Sequence, residues 1–282
     1  MNLAYSHREF SFEPEDHTAI ARLAYEEAGI VLQPTKAQLV YGRLARRIRA
    51  CGLTGFADYI ALIQEDSEER THAIDALTTN HTSFFRENHH FEHFMETCWP
   101  PLKKRLATGG RVRLWSAACS SGEEPYSLLM VLLGTDRQSA GALAKQDFRL
   151  LGTDLSTEIL SSARNARYHA DTVKTIPPAL REVWVGKGEA GGAQLHPLLR
   201  QLATFRYLNL LGSWPMRNRF DAIFCRNVMI YFDDETKARL QSRLADQLVV
   251  GGFLYIGHSE RLAPEVAGRF SWIGRTTFQK VS

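Results

Sequence analysis

The pattern of apolar residues changes character near residue 110, and that change limits the folds open to this chain. Before it, apolar positions recur at helical spacing and no alternating strand pattern is found. After it, short apolar runs alternate with amphipathic stretches. Residues 111–118 (RVRLWSAA), 147–154 (DFRLLGTD), 220–227 (FDAIFCRN) and 252–257 (GFLYIG) read as strands, and 124–133, 156–166 and 234–248 as helices. Such alternation predicts a mostly parallel sheet with helices on both faces, closed by two short strands within 270–281. An α/β domain therefore follows a small all-α region.

Within that region, residues 16–27 carry Ile20, Leu23 and Ala24 at helical spacing, with Gly29 placed to cap the C-terminus. The next helix begins at Pro34, has Thr35 and Gln38 at capping-box spacing, and stops at Gly52. Two shorter helices are expected at 56–63 and 70–77. One stretch, residues 168–207, breaks the later alternation with Pro177, Pro178, Pro197 and the glycine-rich VGKGEAGGAQ. A structureless loop of that length is unusual inside a compact domain. The β character of REVWV and ATFRYL predicts a small antiparallel insertion there.

The chain of 282 residues is long enough for two domains, and 44% hydrophobic with 23% charged residues is ordinary for a globular protein. Its longest apolar runs, 128–133 and 248–256, are too short to span a bilayer, and the N-terminus lacks a signal-type apolar core. Four scattered cysteines without a CxxC pair read as reduced thiols, so a cytoplasmic protein is expected. A net charge of +3 is too weak to imply a nucleic-acid partner.

The strand–loop–helix junction LWSAACSSGEEPYS, residues 114–127, is where such sheets hold ligands. It has a single glycine, Gly122, followed by Glu123 and Glu124, and no GxGxxG. Asp154, at the end of the second strand, suits ribose hydroxyls but lies 32 residues after Gly122, beyond the usual dinucleotide spacing of about 20. Carboxylates disfavour a pyrophosphate and attract a cation. S-adenosylmethionine, a nucleoside with a sulfonium and an ammonium, fits better than a nicotinamide dinucleotide. Of the two glutamates, one is accounted for by a helix start, and Glu123 is the expected ligand contact.

Four stretches, ALTTNHTSFFRE, WSAACSSGEEPYS, FDAIFCRNVMIYF and GGFLYIGHSE, resemble in order and spacing the motifs of the CheR-type chemotaxis receptor glutamate methyltransferases. The resemblance covers nearly the whole chain. It implies a helical N-terminal domain for receptor docking over residues 1–78. A Rossmann-like, class I S-adenosylmethionine-dependent methyltransferase domain follows over 79–282, with a three-stranded β-subdomain inserted at about 168–207. It maps cofactor binding onto Asn80, Thr82, Arg86, Glu123, Asp154, Asn209, Leu210, Asn227 and Val228. Arg86 and Tyr231 are then the catalytic candidates, Arg86 to orient the substrate carboxylate and Tyr231 to donate a hydrogen bond or wall the methyl group.

The implied reaction moves a methyl group to glutamate side chains of chemotaxis receptors for sensory adaptation, with S-adenosylhomocysteine as product. A module that binds S-adenosylmethionine without catalysis is the alternative from another class. A nucleic-acid methyltransferase is disfavoured, because no (D/N)PP(Y/F) stretch stands at the position of RNVMIYF. The helix beginning near Lys36 carries Lys36, Arg43, Arg46, Arg47 and Arg49 and no acid. Lys36, Arg43 and Arg47 share one side with Arg46 close by, while Val40, Leu44 and Ile48 face inward. Glutamate-rich receptor helices make that basic row an expected docking surface. A receptor C-terminal peptide is a further possible partner, and the enzyme is expected to be a monomer reaching membranes only through receptors. His89 and His93 share a face, but with no third ligand a metal is not expected.

Overall fold

A computed structural model describes residues 9–78 and 80–282. They form two compact units: residues 9–78 with Tyr231–Asp233, and Asn80–Ile230 with Asp234–Ser282.

The first unit is helical. Helix α1 (Pro14–Ala28) starts at Glu13 with a reciprocal capping box and ends at Gly29 in the left-handed conformation, φ 67°. A 3₁₀ turn, Pro34–Lys36, leads into α2 (Ala37–Ala50), so Thr35 lies inside the turn and does not open a capping box with Gln38. Helices α3 (Phe56–Glu65) and α4 (Ser67–Leu77) complete the unit, and Asp66 caps α4 by accepting from the Glu68 and Glu69 amides. Val40, Leu44 and Ile48 are fully buried, as their spacing predicts.

The second unit opens with α5 (His89–His93), continued by a π-helical turn, Phe94–Cys98, into α6 (Trp99–Ala107). Then come β1 (Val112–Ala117), α7 (Glu123–Leu133), α8 (Arg137–Ala144), β2 (Phe148–Asp154) and α9 (Thr157–Asn165), followed by β3 (Arg167–Tyr168), α10 (Pro178–Trp184), β4 (Val185–Lys187), β5 (Ala193–Leu195), α11 (Pro197–Leu202) and β6 (Ala203–Tyr207). The chain closes with β7 (Phe220–Cys225), α12 (Asp234–Gln247), β8 (Leu248–Ile256), α13 (Pro264–Ala267), β9 (Phe270–Gly274) and β10 (Thr277–Lys280).

The main sheet has the order β6-β2-β1-β7-β8-β10-β9. Its first five strands are parallel and β10 and β9 are antiparallel. The chain leaves β1 on one side towards β2 and β6 and returns on the other at β7. The crevice at the C-terminal ends of β1 and its neighbours is therefore a topological switch point. Every residue of β7 is buried, and Phe224 stacks on Tyr255 of β8 at 4.3 Å between ring centroids, fixing the middle of the sheet.

The insertion differs from its sequence reading in two places. A second sheet, β3-β5-β4, is antiparallel and three-stranded. REVW is helical, however, in α10, where Pro178 at the first turn supplies a helical φ and Trp184 is buried. ATFRY is not part of the insertion: β6 pairs in parallel with β2 at the edge of the main sheet, with Phe205 buried beneath it. Among the described residues no helix is long and apolar enough to cross a membrane. Cys98, Cys119 and Cys225 are buried free thiols and Cys51 is half-buried.

Candidate active site

Loops of the second unit meet near the switch point, held by contacts from residues distant in the sequence. Residues 118–122, between β1 and α7, contain three left-handed positions: Ala118 (φ 58°), Ser120 (φ 49°) and Gly122 (φ 93°). Two of these are not glycine, so the loop is strained and must be held from outside. The Cys119 amide donates to the Thr153 carbonyl at 2.9 Å, the Ser120 amide to Asp154 Oδ2 at 2.8 Å, and the Tyr168 hydroxyl to the Ser121 carbonyl at 2.8 Å. A Cβ on Gly122 would meet the Ala163 Cβ at 3.0 Å. That glycine serves the turn and the packing of α7 on α9.

Glu123 and Asp154 are both buried here. Glu123 accepts from the Ser121 hydroxyl at 2.7 Å, and burial pushes its carboxyl above the ordinary range. Asp154 also accepts from the Ser156 amide at 3.0 Å; burial again pushes its carboxyl up, against those backbone donors. Ser156 itself caps α9. A carboxylate has about four acceptor sites, so Asp154 keeps acceptor capacity for a hydroxyl-bearing ligand. Two desolvated carboxylates, one at the end of β2 and one at the start of α7, gain from a cationic, hydroxyl-bearing ligand and repel phosphate. S-adenosylmethionine has that chemistry. Next to Asp154, the Leu208 amide donates to the Asp154 carbonyl and leads into a turn in which Asn209 Oδ1 accepts from the Leu211 amide at 2.9 Å. Leu210 is buried, and its carbonyl accepts from Arg243.

The segment 80–87 is fastened over the start of α7. The Asn80 carbonyl accepts from the Ser120 hydroxyl at 3.1 Å, and the Phe85 amide donates to the Ser127 hydroxyl at 3.0 Å. Thr82, half-buried, lies between these two anchors. Phe85 (φ 57°) and Glu87 (φ 53°) are left-handed on either side of Arg86. The Arg86 guanidinium donates to the His81 carbonyl at 2.9 Å, while Glu87 pairs with Arg226 and Glu92 accepts from Asn88. Arg86 is thus flanked on both sides by strained backbone, of the kind that clusters at functional sites.

Four charged residues hold these loops together: Glu124, which the sequence places at a helix start, and Arg226, Glu87 and Glu260, to which it gives no role. Arg226 is buried beyond the end of β7. It donates to Glu124 at 2.9 Å, lies 3.2 Å from Glu87 and also donates to the Arg86 carbonyl. Glu124 accepts in addition from Ser116 at 2.6 Å, so this glutamate is the structural one of the pair. Burial pushes the Glu87 carboxyl upward, but Arg226 and hydrogen bonds from His258 and Asn227 outweigh it and hold the group down at about 2. Glu260, buried, accepts from the amides of Gly257 (2.5 Å), Met229 (2.8 Å) and Asn227 (3.2 Å). This carboxylate pins the Asn227–Val228 turn, with Asn227 at φ 59°, to the end of β8. A Cβ on Gly257 would stand 2.7 Å from the Asn227 amide nitrogen, so only glycine fits. An arginine closing the apolar strand FDAIFCR was a sequence signal for the first of these anchors, since a buried strand end does not hold a charge without a purpose.

Residues 80–279 match the family described as CheR methyltransferase, SAM binding domain, and residues 15–78 match CheR methyltransferase, all-alpha domain. This chain belongs to the CheR methyltransferase family. It is 44% identical over 262 residues to the Probable chemotaxis protein methyltransferase of Rhizobium etli, covering 91% of this chain and 96% of that protein. It is 38% identical over 267 residues to the Chemotaxis protein methyltransferase of Escherichia coli K12, covering 92% and 88%. Chemotaxis protein methyltransferase 2 of Pseudomonas aeruginosa is 37% identical over 260 residues, covering 91% and 90%. The chain is therefore an S-adenosylmethionine-dependent methyltransferase of the class I fold, and the strand-end acids lie in its SAM-binding domain.

The remaining candidates of this CheR methyltransferase fall into two groups. Tyr231 belongs to the first unit: its carbonyl accepts from the Val31 amide at 2.9 Å, and its phenol acts on Arg43, partly offsetting the downward push of burial on that guanidinium. In the basic row, Arg43 donates to the carbonyls of Leu77 (2.6 Å) and Thr78 (2.9 Å) at the end of α4. Arg47 forms a fork with Glu69, which also accepts from Tyr59 at 2.7 Å. The row thus does face an acid, and two of its members serve the interior of the helical unit. Lys36 and Arg46 are exposed. The histidine-rich patch is packed: His90 Nε2 lies 3.0 Å from Thr276 Oγ1 and His93 Nδ1 lies 3.0 Å from the Tyr255 hydroxyl. Among the described residues no cluster able to hold a metal is found.

Proposed function

We propose that this methyltransferase esterifies glutamate side chains of chemotaxis receptors. The observation that carries the reading is the pair of buried carboxylates, Glu123 and Asp154, in a unit that also holds Arg86 between two left-handed residues. S-adenosylmethionine supplies a methyl group on a positively charged sulfur. Asp154 holds the ribose hydroxyls, Asn209 and Leu210 the adenine edge, and Glu123, Asn80, Thr82, Asn227 and Val228 the amino-acid portion. An acceptor glutamate, with an ordinary pKa of about 4.3, is already ionised at neutral pH, so no general base is assigned. Charge is lost as an anion and a cation become neutral products, and exclusion of water favours the step. Arg86 orients the acceptor carboxylate. The enzyme acts as a cytoplasmic monomer on receptor helices.

Incubation with S-adenosylmethionine labelled in its methyl group and with receptor-containing membranes tests the reading. Label on receptor that is released by base as methanol is expected. Base-stable label, or none, contradicts it.

The buried acids predict a pH dependence. Their folded-state carboxyl pKa values are raised, so in the ligand-free protein ionisation costs stability as pH rises through them. A cationic ligand offsets that cost only when the acids are ionised. The increase in Tm caused by S-adenosylmethionine, whose sulfonium is positive, should therefore grow from about pH 4 to about pH 8, across and above the ordinary carboxylate range. A ligand-induced shift that is flat in pH would contradict the assignment.

For docking we propose the exposed part of the α2 row. Lys36→Glu with Arg46→Glu should raise KM for receptor by about 10-fold and make it less salt-sensitive. Arg43→Ala and Arg47→Ala should instead destabilise the helical unit. The free edges of the β3-β5-β4 sheet offer a place for a receptor C-terminal peptide to add as a strand.

A further inference from the structure

A groove of about 710 Å³ lies in the second unit between residues 258–262 and the β9–β10 hairpin. Phe270 and Phe278 line it with apolar surface. At its rim Trp272 is 72% exposed, on a strand that forms the edge of the main sheet. The indole is held in place, its Nε1 donating to the Arg275 carbonyl at 3.0 Å. A fixed, exposed tryptophan beside arginines is the composition of an interface anchor and is unusual on an unpartnered surface.

The groove is also cationic. Arg261, Arg275 and His258 are exposed along it. The acid on its lining, Glu260, is 5% exposed and turned to the backbone amides of Asn227, Met229 and Gly257. The occupant is therefore acidic on one side and apolar on the other. A contact ties one end of the groove to the segment carrying Arg86: His258, on its lining, has Nδ1 3.0 Å from Glu87 Oε1, and Glu87 follows Arg86 in the chain.

We infer that this groove seats the acceptor helix of the substrate protein, an amphipathic α-helix with glutamates on one face. Its apolar flank rests on Trp272, Phe270 and Phe278, and its acidic face meets Arg261 and Arg275. The next turn of the helix then reaches Arg86. This inference rests on the reading of a glutamate acceptor given above.

The test uses the full chain and a fluorescein-labelled synthetic amphipathic helix of about four turns with glutamates at i, i+3, i+4 and i+7. Wild type should bind it. Trp272→Ala, and separately Arg261→Glu with Arg275→Glu, should each weaken binding about 10-fold or more. S-adenosylhomocysteine affinity should not move, which shows that the variants are folded. A peptide broken by a central proline should bind at least 10-fold more weakly. No binding by wild type, unchanged Kd in both variants, or equal binding of the broken peptide overturns the inference; the last outcome points to strand addition at β9. Peptide binding is read without methyl transfer, so base-stable label in the receptor assay would sink the glutamate reading while leaving this measurement to stand on its own result.

Discussion

Replacing Arg226 with methionine is expected to destabilise the second unit by about 3–5 kcal/mol and to abolish methyl transfer. The side chain is 3% exposed, and its partners Glu87 and Glu124 are 11% and 14% exposed. Removing the cation leaves two carboxylates in a desolvated site with their compensating charge gone. The cost lies in the unpaired acids, which gives the prediction a second arm. Adding Glu87→Gln and Glu124→Gln to the Arg226→Met variant should recover part of the loss. At roughly 2–4 °C per kcal/mol for a unit of this size, the single variant should lower Tm by on the order of 10 °C. The Glu87 carboxyl is held down at about 2 and therefore contributes stability that is fully present above its unfolded value of about 4.3. That contribution is lost as pH falls from there towards 2. With Arg226 gone, burial is the largest influence left on Glu87, and acid unfolding of the variant should begin at higher pH than in wild type. Unchanged thermal and acid stability in Arg226→Met would show that the network is incidental.

Arg86→Ala should reduce kcat/KM for receptor by about 100-fold or more with little change in Tm. Within the second unit its guanidinium makes one hydrogen bond at the surface, to His81, so the fold does not depend on it. The neighbouring backbone does. Phe85 and Glu87 are held left-handed by the Ser127 hydroxyl, Arg226 and Asn227, and those contacts remain in the variant. Arg86→Lys should rescue only in part, because a forked, planar donor matches a carboxylate and an ammonium does not. Activity near wild type in Arg86→Ala would remove this residue from the mechanism.

The parts of the fold that could be read in the sequence were those governed by local rules. Helix α1 ends at Gly29, Ser156 caps α9, and β7 is a continuous apolar run because both faces of a central parallel strand are covered. The period assigns no element to residues 88–107, where a π turn and the Pro100–Pro101 pair interrupt it. ATFRY was placed in the insertion because β character alone does not say which sheet a strand joins; its register with β2 decides that. Glu123 and Asp154 were recognisable because strand ends are where α/β folds bind ligands. Arg226, Glu87 and Glu260 were not assigned, because their roles depend on neighbours 140 and 33 residues away in the chain. The basic row on α2 misled in a related manner. Arg47 looked unopposed along its own helix, and its partner Glu69 comes from α4.

Recognition of the methyl donor rests on two desolvated carboxylates, Asp154 at the end of β2 and Glu123 at the start of α7. A crystal structure with S-adenosylhomocysteine shows whether they serve it. The ribose hydroxyls should lie within hydrogen-bond distance of Asp154, with the amino-acid portion near Glu123. A ligand seated elsewhere, with both carboxylates left as they are in the free protein, would contradict the account.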